Sequence, residues 1–208
     1  MTRLKKMKEI EIKKILIEHL IKDSSNIINA EFRFNFGTRR ADIICLSNDI
    51  LTAFEIKGAG DNTARLEEQI HNYKKYFDQC YIVCERSNLE MISKKTPKSV
   101  GIFVIDNQDL TPYRKSRIVK KHDKIALAST IDIRTLRKEI SDRRIKSKHE
   151  LCEFIATKRK LEYIKKLSRQ DLLLKIKPAY NLFLNELGSQ IHSDDILILS
   201  RMSPTQLI

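Results

Sequence analysis

The chain has 208 residues, 41% of them hydrophobic, and its 40 Lys and Arg outweigh 27 Asp and Glu to give a formal net charge of +13. That length suits one compact core with room for a small appended region, and the apolar content excludes a chain disordered throughout. It has neither an apolar run of ~18 residues nor a signal segment, so a cytoplasmic protein with no membrane partner is expected.

The charge is unevenly spread. Residues 113–177 hold 21 Lys and Arg against 8 Asp and Glu, while the rest of the chain holds 19 of each. Cations clustered in this way gain affinity for nucleic acid by releasing counterions from phosphate, so nucleic acid is the expected partner. The plainer alternative is a solvated helical surface. An anionic membrane surface fits less well, because no amphipathic segment carries Trp or many Phe on one face. The four cysteines, Cys45, Cys80, Cys84 and Cys152, form no C-x-x-C pair. Cys80 and Cys84 flank a strand-like run and read as reduced core thiols rather than metal ligands.

In chain order, Ile10, Ile12, Leu16 and Leu20, with Ile17 and Ile21 beside them, predict an amphipathic helix over residues 5–21. The polar run 23–26 ends it. Residues 28–36 alternate, with Phe32, Phe34 and Phe36 on one side and Glu31, Arg33 and Asn35 on the other, the period of a half-buried strand. Gly37 turns the chain. Residues 41–46 and 51–57 then read as a hairpin around a turn at 47–49. A second helix is expected over 63–77, with Leu66, Ile70, Tyr73 and Phe77 as its core face. Strands at 79–84 and 101–105 flank a short helix at 88–94, an alternation that predicts parallel pairing after the third strand. Pro112 reads as a boundary between a 1–112 domain and a basic, mostly helical 113–208 region. There a helix is expected over 148–177, with a new segment starting at Pro178 and ending by Gly188.

The chemistry lies on the hairpin. Glu55 and Lys57 are two apart on one strand and project to the same face, which also receives Asp42 when the hairpin closes. Two carboxylates beside an ammonium are hard ligands of the kind that suits Mg²⁺ or Mn²⁺, which keep several waters and can bind a substrate phosphate. Such an ion lowers the pKa of bound water, and Lys57 can hold that water or offset developing charge. The bland alternative is a surface hairpin with an incidental Glu–Lys pair. Taken with Asp42, the apolar flanks and the following helix, the pattern is far more specific than E-x-K alone.

The spacing D-x12-E-x-K on a hairpin between two helices resembles the PD-(D/E)XK nuclease superfamily. "RRADIICL" and "FEIKGAGD" are similar to its two metal-binding strands, and "RLEEQIHNYKKYFDQCYIV" to the helix and strand that follow. Gln69 and Tyr73 match the Q-x-x-x-Y of some branches. The similarity is closer still to a small family of stand-alone bacterial and phage proteins with R-x-D, E-I-K, D-x-x-x-R-L and Q-x-x-x-Y in this order. The resemblance spans residues 4–105, with Ala41 where a Pro often precedes the first Asp. It implies an α/β fold with a restriction-endonuclease-like αβββαβ core and mixed sheet, followed by the basic, mainly helical extension. It also implies that Asp42 and Glu55 bind the metal, that the Ile56 carbonyl adds a ligand, and that Lys57 is the catalytic lysine. The remaining acid is left open between Glu18 on the first helix and Glu31 on the first strand.

Gln69 stands four residues after Arg65 and four before Tyr73, so all three can line the edge above the metal, while Tyr73 is equally suited to the core. Arg40 contacts phosphate or pairs with an acid. Asp61 is placed to cap the helix at Thr63. His19, His71, His122, His149 and His192 show no zinc spacing. The expected function is therefore metal-dependent phosphodiester hydrolysis, in DNA before RNA, with a nuclease-fold binding module that does not cut as the alternative. Arg143, Arg144, Lys158, Arg159 and Lys160 are the candidate backbone contacts of the basic region. Its few aromatics favour duplex or branched DNA over stacked single strands. Cutting both strands implies a homodimer or two successive nicks.

Overall fold

The computed structural model describes residues 7–58, 60–140, 142 and 144–201. It is a mixed α/β protein with one six-stranded sheet and, among the described residues, eight α-helices. The sheet runs β1 (Ile27–Phe34), β2 (Arg39–Ser47), β3 (Ile50–Lys57), β4 (Gln79–Glu85), β5 (Gly101–Asp106) and β6 (Asp109–Arg114), in that spatial order. β1–β2, β2–β3 and β5–β6 pair antiparallel, whereas β3–β4 and β4–β5 pair parallel. The parallel pairs follow from the crossover helices between them, α2 (Leu66–Tyr76) and α3 (Leu89–Lys95). The turn of the β2–β3 hairpin has positive φ at both Asn48 and Asp49, the two-residue geometry that matches strand twist.

Each face of the sheet buries its own core. One core gathers Phe32, Phe34, Ile44, Ala53, Ile82 and Val104 under α2, and extends into α4 (Lys124–Ser129), α5 (Ile133–Glu139), α6 (Lys148–Lys158) and α7 (Leu161–Glu186). The other gathers Ile28, Ile43, Phe54, Ile56 and Val83 against α1 (Glu9–Leu20), the end of α7 and α8 (Ser193–Ser200). The rings of Phe32, Phe34, Tyr73, Tyr76 and Phe77 interlock with centroids 4.9–6.3 Å apart, in edge-on and stacked contacts.

Several sequence expectations change. The first strand ends at Phe34, and Phe36 sits in the following turn with positive φ, stacked on His149. Pro112 lies inside β6, opposite Phe103 and beside a register shift, on an edge strand of the kind that tolerates proline. Among the described residues, α4 to α7, which follow it, contribute side chains to the same first core as the sheet. The expected helix over 148–177 is broken at 159–160 into α6 and α7, and α7 continues through Pro178. Pro178 and Leu174, whose carbonyl it leaves without an intrahelical donor, are both exposed, so water can take that bond. All four cysteines are free and buried, and burial pushes the thiols of Cys45, Cys80 and Cys84 up to about 12.

Candidate functional site

β2 and β3 stop pairing at Ile43 and Phe54. Beyond that point the carboxylate of Asp42 takes over the ladder, its Oδ2 accepting the Ile56 N–H at 2.8 Å. Glu55 and Lys57 lie on the face of β3 that carries Leu51 and Ala53 and meets α2. Both are buried, at 3% and 8% exposure, and Asp42 is at 9%. Lys57 Nζ donates to Glu55 Oε1 at 2.8 Å, and Gln69 Nε2 donates to the same oxygen at 2.6 Å. The Tyr73 hydroxyl donates to Glu55 Oε2 and lies 3.3 Å from the Arg40 carbonyl. The geometry thus brings together Asp42, Glu55, Lys57, Gln69 and Tyr73. Tyr73 is also a core aromatic, so its ring and its hydroxyl serve different ends.

The electrostatics reflect that crowding. Burial first, and the Glu55 charge second, raise the Asp42 carboxyl to about 7 from its ordinary 3.8. Burial and the same Glu55 charge hold the Tyr73 phenol well above its usual range, so it remains a donor. An ionised carboxylate offers about four acceptor positions; Lys57, Gln69 and Tyr73 occupy three of those on Glu55.

The two candidate helix and strand acids separate. Glu18 is exposed on α1, away from the site. Glu31 stands opposite Asp42, in the register that pairs Ala30 with Ile43 and Phe32 with Ala41. It has φ 55, in the left-handed region, and the strand changes faces there: Ile28 and Ala30 enter one core, Phe32 and Phe34 the other. One oxygen each of Glu9, Glu31 and Asp42 lie within 4.8 Å of one another. Lys13, buried on α1, ion-pairs with Glu9 at 2.6 Å and with Glu31. Arg40 lies 2.7 Å from Glu31 as an ion pair, one of the two roles open to it.

Glu9 and Lys13 were not among the sequence candidates. Glu9 lies nine residues before Glu18, two and a half turns away, and so on the opposite side of α1. Lys13 carried a signal: it falls on the apolar stripe, three, four and seven residues before Leu16, Ile17 and Leu20, where a cation needs a partner.

The remaining candidates lie elsewhere. Arg65 is exposed at the N-cap of α2, its carbonyl accepting the Gln69 N–H at 2.9 Å. Asp61 does not cap α2; its Oδ2 accepts the Gly58 N–H at 2.7 Å and closes the loop after β3. Ile56 presents its N–H to Asp42 and its side chain to the second core. Arg144 is exposed and paired with Asp142 at 2.8 Å. Lys158, at the end of α6, and Arg159 and Lys160, which link it to α7, form an exposed run, with Arg159 stacked 5.0 Å from the Tyr163 ring centroid. Arg143 lies outside the described residues. No helix of the described residues is long and apolar enough to cross a membrane.

A second polar cluster, unforeseen in the sequence, lies at the α2–β4 junction. Asp78 is fully buried and accepts the Leu51 N–H at 2.8 Å, with Lys165 at 2.5 Å, Arg169 at 3.3 Å and His122 at 3.3 Å. Burial pushes its carboxyl up, but His122, Arg169 and Lys165 outweigh this and hold it well below the usual range. The cluster ties α7 to the sheet.

Comparison with known proteins adds lineage. A solved structure of SPO1766, a protein of unknown function from Silicibacter pomeroyi, matches over 56% of this chain and 76% of that one, at 18% identity and a TM-score of 0.43. Protein cII of Enterobacteria phage P4 is 27% identical over 213 residues, spanning 94% of this chain and 78% of the relative. The family described as Bacteriophage P4 protein cII matches residues 2–200, and the chain belongs to that family.

Proposed function

We propose that this chain is a metal-dependent nuclease with a restriction-endonuclease-like core, hydrolysing phosphodiester bonds in DNA. The observation that carries the reading is the burial of Asp42, Glu55 and Lys57 together where β2 and β3 part. Burying two carboxylates side by side is costly, and Asp42 near 7 registers that cost. The donor set fits a hard divalent ion such as Mg²⁺ or Mn²⁺: it is all oxygen, Asp42 gains by an adjoining positive charge, and Glu55 keeps an acceptor position unused.

An ion held there supplies a water of lowered pKa and charge neutralisation at phosphate. The chain's own residues do the rest. Asp42 and Glu55 provide the negative anchor. Gln69 and Tyr73 fix the Glu55 carboxylate so that it needs no reorientation. Lys57 brings a compact cation and a proton donor to the position where charge develops on the phosphoryl oxygens. The excess of cations in residues 113–177 supplies sequence-independent attraction for the duplex backbone.

A second reading, a DNA- or protein-binding module that does not cut, draws on one observation: Glu55 is already engaged by Lys57, Gln69 and Tyr73. The two separate on supercoiled plasmid incubated with Mg²⁺ or Mn²⁺, beside EDTA and Lys57→Ala controls. Nicking that needs metal and falls at least ~100-fold in the variant, the scale of a lost preorganised donor, is the expected result. Equal inertness of both proteins, with DNA still retarded on a gel, overturns cleavage in favour of binding.

A further inference from the structure

We propose that Lys13 is a resident cation of the site, its ammonium filling the place beside Glu9, Glu31 and Asp42 that a second divalent ion would otherwise take. The inference rests on the nuclease reading and specifies how many metal ions it uses: one, anchored by Asp42 and Glu55. Lys13 and Glu31 are then positioning residues that act through Asp42.

Three observations converge. The oxygens of Glu9, Glu31 and Asp42 lie within 4.8 Å of one another, close enough to share one cation. A cation is already there, because Lys13 Nζ contacts Glu9 at 2.6 Å and Glu31 as well. It is rigidly delivered: Lys13 is only 7% exposed, on the stripe of α1 that packs with Leu16 and Ile17 on the second core. A lysine so buried is retained at a cost unless its charge is used. On the other side, Glu31 stands opposite Asp42 where β1 changes faces, and an Arg40 nitrogen lies 2.7 Å from its second oxygen without a hydrogen-bond geometry.

The local charge agrees. Glu9, Glu31, Asp42 and Glu55 carry four negative charges when ionised, and Lys13, Arg40 and Lys57 carry three positive ones. One divalent ion leaves the site with a single positive charge, matched to a single phosphodiester. A second ion would leave three positive charges around the buried Lys13, Asp42, Glu55 and Lys57, with no carboxylate left to offset them.

Mn²⁺ titration by calorimetry, at pH 8 and without DNA, tests this. Wild type is expected to bind one Mn²⁺ per chain, Asp42→Asn none, and Lys13→Met two. A Lys13→Met protein that still binds one, or a wild type that binds two, overturns the resident-cation proposal and leaves the nuclease reading standing. A wild type that binds none overturns the metal site itself. Glu31→Gln provides a check should Lys13→Met fail to fold. It is expected to keep one Mn²⁺ with affinity within about threefold of wild type, the scale of one screened charge. A loss beyond tenfold would make Glu31 a metal ligand and sink the proposal.

Discussion

Asp42 accepts the N–H of Ile56 at 2.8 Å, across two strands that have ceased to pair one residue earlier, at Ile43 and Phe54. The side chain thereby continues the ladder in place of a backbone carbonyl and lets the strands open around a carboxylate. The same bond holds Asp42 buried beside Glu55, where its ionisation is disfavoured. A stable fold has no need of such a pair, and that mismatch gives the first expectation.

With its carboxyl raised to about 7, Asp42 binds its proton more tightly in the folded than in the unfolded chain. The group therefore favours folding below about pH 4, and that contribution is lost as pH rises through 7. In EDTA, urea unfolding should show wild type losing on the order of 2–4 kcal/mol relative to Asp42→Asn between pH 4 and pH 8. Equal pH dependence of the two proteins would show that Asp42 is not a strained carboxylate.

Tyr73→Phe removes the hydroxyl that donates to Glu55 while keeping the ring among Phe34 and Phe77. A buried acceptor then loses a donor, and stability is expected to fall by about 1–3 kcal/mol in denaturant unfolding. Unchanged stability would mean that Glu55 is held by Lys57 and Gln69 alone.

Asp78→Ala leaves Arg169 buried against the Tyr76 ring without its acid, together with the partly exposed Lys165. An unmatched buried charge costs about 3–5 kcal/mol, so a large drop in the thermal midpoint is expected. In wild type the carboxyl is depressed. Its contribution is therefore present above about pH 4 and lost as pH falls below that value. A variant with wild-type stability at pH 7 would make the cluster dispensable.

Duplex DNA binding should weaken steeply with salt, with a log–log slope steeper than about −4, as about five phosphate contacts require. Neutralising Lys158, Arg159 and Lys160 together, the exposed run at the α6–α7 junction, should flatten that slope by about two to three. A slope that the triple substitution leaves unchanged would place the DNA on another face.

The sequence by itself determined the first five strands, the crossover helices and the companionship of Asp42, Glu55 and Lys57, because these are consequences of local periodicity. β6 was hidden by Pro112, which reads as a boundary. Side chains two apart on a strand share a face, and a tight hairpin brings its arms into one register. Gln69 and Tyr73 were legible for the same reason, four residues apart on one helix. What lay beyond was set by contacts far apart in the chain. Glu31 joins Asp42 through a strand pairing and a left-handed residue that no period announces. The choice of Glu9 and Lys13 over Glu18 depends on which side of α1 meets the sheet. Lys165 and Arg169 are two of the many cations of the basic stretch, and only the fold of α7 across the sheet turns them onto Asp78. The continuity of α7 through Pro178 was likewise a tertiary matter, since it depends on Leu174 facing water.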